Sequence, residues 1–221
     1  MSDQPPAAGP PPWPGQPPES GQPPESSQPP GSGPQFEIEF IRPADAAPPA
    51  DAAPPAAPQP HPDLAPLSFL LGRWQGAGVG GYPTIESFQY GEEISFSHNG
   101  KPYLIYISRT WLLDDEGRPS RPSHMETGFW RPQPENKVEV LLAHPTGFAE
   151  IYLGEVDGTK IEMATDVVAR TASAKDVRAG RRLYGLVGAD LAYAYDMAAL
   201  GQPLQPHLSA QLKRVTLAAE D

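Results

Sequence analysis

From Leu67 onward the chain is a succession of short runs in which apolar, aromatic and β-branched residues keep returning at every second position. Alternate residues of a strand point to opposite faces, so this spacing predicts strands with one buried side. The runs are Arg73–Val79, Thr84–Tyr90, Glu92–Ser97, Tyr103–Thr110, Met125–Arg131, Lys137–Leu142, Phe148–Val156, Lys160–Thr165, Arg181–Leu186, Asp190–Met197 and His207–Val215. Turn chemistry separates them: His98-Asn99-Gly100, Asp114-Asp115-Glu116-Gly117, Asp157-Gly158 and Gly188-Ala189-Asp190. Asp-Gly between two alternating runs is favourable for a tight hairpin, because both residues tolerate positive φ. About ten strands at this spacing, with almost no helical periodicity, predict an all-β fold, an antiparallel up-and-down β-barrel. Leu191, Tyr193, Tyr195 and Met197 share one face of their strand, which suits a wall with a large-residue interior. A short helical turn is expected at Pro66–Leu71, and by fold analogy it would plug one end of the barrel.

The first 66 residues read differently. They hold 22 of the 31 prolines and eight acids against Arg42 alone, a net of −7 within the total of −11. A segment so poor in branched aliphatics cannot bury enough apolar surface to offset its ordering entropy, and residues 1–63 are expected to be a disordered Pro/Ala-rich tail. It repeats Gln16-Pro-Pro-Glu-Ser20, Gln22-Pro-Pro-Glu-Ser26 and Gln28-Pro-Pro-Gly-Ser32. The repeats favour polyproline II, as a soluble spacer or as a weak docking segment for a partner. Gln35–Ile41 alternates apolar and acidic residues and is either a peptide that docks on the barrel or an apolar patch in the tail. Residues 64–221 form the predicted barrel, long enough to bury a core or enclose a ligand.

An acidic balance without a Lys/Arg stripe argues against nucleic acid. No cysteine is present, which excludes disulfides, thiolate metal sites and covalent c-type haem attachment. No basic n-region leads into an apolar h-region, and no run approaches the ~20 apolar residues of a membrane helix. A cytoplasmic protein without membrane contact is expected.

Catalytic motifs are absent. No nucleophile elbow is found, and the five histidines (His61, His98, His124, His144, His207) form no i,i+2 or i,i+4 pair for zinc. Glu92 and Glu93 point to opposite faces of one strand and read as a half-exposed strand start. His98 and His144 lie beside turn signals and read as surface or hydrogen-bonding groups, His61 and His124 as loop residues. Gly72, Gly76, Gly78 and Gly80 recur at even spacing around Trp74. They leave one strand face without side chains, either as a closing strand that neighbours approach tightly or as a wall for a flat cofactor; the first is the commoner use.

Gly72-x-Trp74-x-Gly76-x-Gly78-x-Gly80 followed by Tyr82-Pro83-Thr84-Ile85 resembles the signature of the nitrobindins. Four more segments fall in the same order: Phe96–Pro102, Glu126–Arg131, His144–Gly147 and Gly201–Ala210. The resemblance spans about residues 64–215. It implies a ten-stranded barrel, related in shape to fatty-acid-binding proteins, that holds one non-covalent haem b near an open end. The axial histidine would be His207. The family's ferric haem binds nitric oxide and isomerises peroxynitrite to nitrate, so these would be the small-molecule ligands here. Thr84 and Arg181 are second-tier cofactor contacts, Arg181 as a partner for a haem propionate. A homodimer is compatible with the sequence.

Strand alternation pulls against this assignment. It puts His207 with Ser209, Gln211 and Lys213 on a polar, solvent-facing side. The two readings agree if haem lies at the barrel mouth, where His207 begins its strand after Pro206. A lipocalin-like carrier of a hydrophobic molecule, without enzymatic activity, is the alternative function. An interaction protein working through its tail is the third.

Overall fold

The structure is a computed structural model that describes residues 57–215. The proline-rich repeats, Gln35–Ile41 and most of the expected tail lie outside the described residues. A 3-10 helix over Pro62–Leu70 leads into ten strands: β1 (Gly72–Tyr82), β2 (Ile85–Ser97), β3 (Leu104–Leu113), β4 (Pro119–Gln133), β5 (Lys137–His144), β6 (Phe148–Asp157), β7 (Lys160–Arg170), β8 (Val177–Val187), β9 (Asp190–Ala199) and β10 (Gln205–Val215). All neighbours are antiparallel, and β1 pairs with both β2 and β10 to close the barrel.

Eleven predicted runs became ten strands because Thr84–Tyr90 and Glu92–Ser97 are one strand, β2, continuous through Gly91. A Cβ on Gly91 would overlap the Trp111 indole, so this glycine makes room for a ring and does not mark a turn. The helix begins four residues before the predicted turn, with the His61 ring accepting from the Asp63 N–H at its start.

Parity fills the closed end. Leu64, Leu67 and Leu70 of the helix are fully buried and plug the barrel. Trp74 packs against them, its Nε1–H donating to the Leu70 carbonyl (2.7 Å) while Arg214 covers its ring at 4.1 Å. Above it Phe96, Tyr106, Trp130 and Tyr184 pack ring to ring at 5.1–5.8 Å. Edge-to-face contacts of this kind add to the area they bury.

The glycine stripe is the closing seam. Trp74, Gly76, Gly78, Gly80 and Tyr82 share the inward parity of β1. A Cβ on Gly78 would overlap the Ser209 carbonyl of β10 and the Tyr90 ring of β2, and one on Gly80 would overlap Phe88 and Leu208. Side chains from both flanking strands therefore occupy the space the glycines leave, and the stripe is not a wall for a flat ligand.

A methyl at Gly78 meets backbone, which cannot rotate away. Gly78→Ala should cost about 1–3 kcal/mol, whereas Val79→Ala, outward and 58% exposed, should stay within about 0.5 kcal/mol. Urea midpoints of the two variants measure this; equal midpoints would refute the seam.

Candidate functional site

Opposite the plug, the turns β1–β2, β3–β4, β5–β6, β7–β8 and β9–β10 surround the mouth of a cavity of about 500 Å³. That volume lies within the range of small-molecule and cofactor pockets. Tyr82, Phe88, Met197 and Leu208 give apolar wall, and Thr84, Arg121 and Lys175 are exposed lining residues near the mouth.

His207 lines this cavity, half-buried, because the strand breaks its alternation there. The β9–β10 register shifts between Pro206 and Leu208, so His207 has no opposite residue in β9. Such a bulge re-aims a side chain, and both His207 and Leu208 reach the cavity. On the adjacent strand the β1–β2 register shifts between Gly80 and Tyr82. The two irregularities meet in one hydrogen bond, His207 Nδ1 to the Gly81 carbonyl at 2.9 Å. A carbonyl oxygen only accepts, so Nδ1 carries the proton and Nε2 keeps its lone pair. This backbone anchor fixes a metal-binding tautomer. The ring stands edge-on to Tyr82 (5.4 Å) and Tyr195 (5.8 Å). Burial lowers the His207 pKa, against the opposing pull of the Gly81 carbonyl, and so favours the neutral ring. The expectation of a solvent-facing His207 from strict alternation thus fails at a bulge.

The cavity floor is charged. Arg182 is buried and forks onto Glu126, Nη1 to Oε1 at 2.7 Å and Nη2 to Oε2 at 2.8 Å. Its Nε–H donates to the Tyr152 hydroxyl (3.0 Å), its plane covers the Tyr195 ring at 4.4 Å, and Glu150 lies 3.5 Å away. Tyr106 also donates to Glu126 (2.6 Å). Burial alone would raise the Glu126 pKa, but the guanidinium and its hydrogen bonds outweigh it and hold the carboxyl at about 2. Nearby, His144 Nε2 sits 3.0 Å from Glu150 Oε2, and His144 Nδ1 sits 3.1 Å from His124 Nε2.

His124, Glu126 and His144 are close enough to suggest a metal site. Both Glu126 oxygens are already held by Arg182, and a guanidinium at that distance repels a dication. The trio is better described as part of a hydrogen-bonded network.

The sequence-predicted residues divide accordingly. His207 and Thr84 line the cavity; Gly72, Trp74, Gly76, Gly78 and Gly80 belong to the seam and the plug. Arg181 is outside the wall, exposed, 3.7 Å from Glu162. Its neighbour Arg182 has the inward parity. His124 is a strand residue facing the cavity, not a loop residue, and His144, also in a strand, is the hydrogen-bonding group of its two expected alternatives and not a surface one. Glu92 is buried as well, where a half-exposed strand start was expected.

Residues 63–214, well over half of the chain, match the family described as THAP4-like, heme-binding beta-barrel domain. A Nocardioides protein named peroxynitrite isomerase is 56% identical over 154 residues, which cover 70% of this chain and 94% of that one. A Streptomyces griseus protein of the same name is 51% identical, covering 71% and 86%. A Thermobifida fusca protein named ferric nitrobindin-like is 46% identical, covering 70% and 95%. The crystal structure of Rv2717c from M. tuberculosis superposes with a TM-score of 0.65 at 42% identity, covering 72% of this chain and all of that one. The chain belongs to the THAP4-like haem-binding β-barrel family.

In this haem-binding barrel the floor holds more acid than base, and Glu92 carries the consequence. It accepts from Ser108 (2.6 Å) and Tyr193 (2.7 Å), and Tyr193 is linked to Tyr90 at 2.7 Å. Burial, only partly offset by those hydroxyls, raises its pKa from 4.5 to about 7. The unfolded chain ionises this carboxyl freely above about pH 4.5, while the folded chain resists until about pH 7. Stability contributed at low pH is therefore lost as pH rises through that window, by about 3 kcal/mol at most. Glu92→Gln should remove this loss. The difference in urea midpoints between wild type and variant, taken at pH 5 and pH 7, cancels the histidines; an unchanged difference would contradict the assignment.

Proposed function

We propose that the cavity holds one haem b, non-covalently, with His207 Nε2 as its single axial ligand, and that the protein isomerises peroxynitrite to nitrate. The observation that carries the reading is the anchored histidine: Nδ1–H is spent on the Gly81 carbonyl, and Nε2 of this half-buried ring has no partner among the described residues. The residues fit the group in other respects. Tyr82, Phe88, Met197 and Leu208 offer apolar surface to a flat macrocycle, and Arg121 and Lys175 lie near the mouth, where carboxylate side groups would emerge. Arg181 is replaced in that role.

When bound, a ferric haem with one histidine supplies an open coordination position, and peroxynitrite rearranges to nitrate there without net electron transfer. The chain itself orients and shields. Gly81 holds the His207 tautomer, the aromatic walls exclude bulk water, and the barrel closes the far side. The relatives named peroxynitrite isomerase, together with this geometry, support the activity, and nitric oxide would bind at the same position.

Addition of haemin to the purified protein should develop a Soret band that His207→Ala abolishes or shifts. Peroxynitrite decay, followed by stopped flow, should accelerate only with the loaded wild type. An unchanged spectrum in the variant would remove the axial assignment. Equal decay rates with and without haem would leave a carrier, the reading that the aromatic floor of Tyr90, Tyr193 and Tyr195 also suits.

A further inference from the structure

The closed strand order places β5 five strands from β10 in either direction, so His144 stands on the wall diametrically across the barrel from His207. Two further groups on that side face the same cavity, His124 of β4 and Thr146 of the β5–β6 turn. We infer that His124, backed by His144 and Glu150 and accompanied by the Thr146 hydroxyl, is a second polar site that hydrogen-bonds a small oxygen acid or its anion on the side of the cavity opposite His207. This rests on the haem reading above, because the ligand's other end would be at the iron.

Two observations carry the site. The first is a directed chain of hydrogen bonds. Glu150 Oε2 lies 3.0 Å from His144 Nε2, whose N–H donates to it, and is paired with Arg182 Nη2 at 3.5 Å. His144 Nδ1 is then bare and accepts from His124 Nε2–H across 3.1 Å. His124 Nδ1 is left as an acceptor, with no partner among the described residues. This is the order in which a carboxylate fixes the tautomer of a histidine that exchanges protons. The second observation is orphaned oxygen: Thr146 Oγ1 and Glu150 Oε1 are buried without hydrogen-bond partners among the described residues. A buried hydroxyl left unpaired is costly, and a ligand oxygen or an ordered water would satisfy it.

The chain of atoms moves one proton. An acid gives its proton to His124 Nδ1, His124 Nε2–H passes to His144 Nδ1, and His144 becomes an imidazolium between Glu150 and Glu126, the latter 3.6 Å from Nδ1. His124 is then neutral again but presents Nδ1–H as a donor to the anion it has just made. The charged groups that bear on this exchange are Glu126 of β4, Glu150 of β6, Arg182 of β8 and Lys175 of the β7–β8 loop. Arg182 and Lys175 oppose the added charge, the two carboxylates favour it, and Thr110 of β3 only fixes the His124 backbone (2.9 Å).

The test uses the full chain loaded with haemin, reduced and exposed to carbon monoxide, whose C–O stretch reports donors facing the bound ligand. Thr146→Val should keep the Soret band and raise the C–O stretch, and His124→Leu should keep the Soret band and remove the response of the stretch to pH. The wild-type stretch should fall as pH is lowered and His124 Nδ1 becomes a donor, and His144→Gln should abolish that change. Identical frequencies and pH profiles in all four proteins would overturn the inference, as would loss of the Soret band in His124→Leu, which would make His124 part of the haem seat. Imidazole nitrogen NMR of the wild-type apoprotein, which needs neither haem nor a variant, should show protons on Nε2 of both His124 and His144. Protons on Nδ1 of either would overturn the relay. A wild type that develops no Soret band would instead refute the haem reading, and with it this site's role toward an iron-bound ligand.

Discussion

The bidentate pair between Arg182 and Glu126 is the brace on which the centre of the barrel depends. A ten-stranded barrel encloses more space than its side chains fill, and this pair divides the space into a packed half and an open half. Arg182 alone touches four strands: Glu126 on β4, Glu150 and Tyr152 on β6, Tyr184 on its own β8, and the Tyr195 ring on β9. A buried ion pair of this quality gains much of its worth from the cost of breaking it, since one partner without the other is an uncompensated charge. Below it lie the aromatic layer and the helical plug; above it lies the cavity.

One cation cannot balance three buried carboxylates, and the arrangement of the floor follows from that deficit. Glu126 takes the guanidinium fork and stays ionised. Glu150 shares Arg182 at longer range and faces His144. Glu92 has only hydroxyl donors and answers burial by holding its proton up to about pH 7. Glu126 and Glu92 thus have opposite protonation behaviours, set by what each one faces. The histidine relay on the β4–β5 wall follows the same rule, because His144 lies between two of these carboxylates.

Much of the fold was legible because turn chemistry and period two are local. The ten strands follow from them, apart from the break at Gly91, where a glycine that looks like punctuation accommodates Trp111. The site was less legible. Strict alternation misplaced His207 because a bulge is a backbone event, and nothing in Pro206-His207-Leu208 distinguishes it from a regular strand; the resemblance to a haem-binding family pointed to the correct side. Arg181 and Arg182 differ by one position, and only the register with Tyr184 shows which is inside. A usable signal did exist. Glu92 shares parity with Tyr90 and Phe96, Glu150 with Tyr152, Arg182 with Tyr184 and Glu126 with Trp130, so a charge on the aromatic face of a strand marks the interior. The pairing of His124 with His144 could not be read at all, since it is created by two strands meeting across twenty residues of sequence.

The proposed haem site comes down to one anchored ring at two coincident irregularities, Gly81 on β1 and His207 on β10. The most direct measurement is a crystal structure of the haemin-loaded protein. The expected result is iron bound to His207 Nε2 while Nδ1 keeps its hydrogen bond to the Gly81 carbonyl. Iron bound through Nδ1, or held by a different side chain with the His207–Gly81 contact broken, would contradict it.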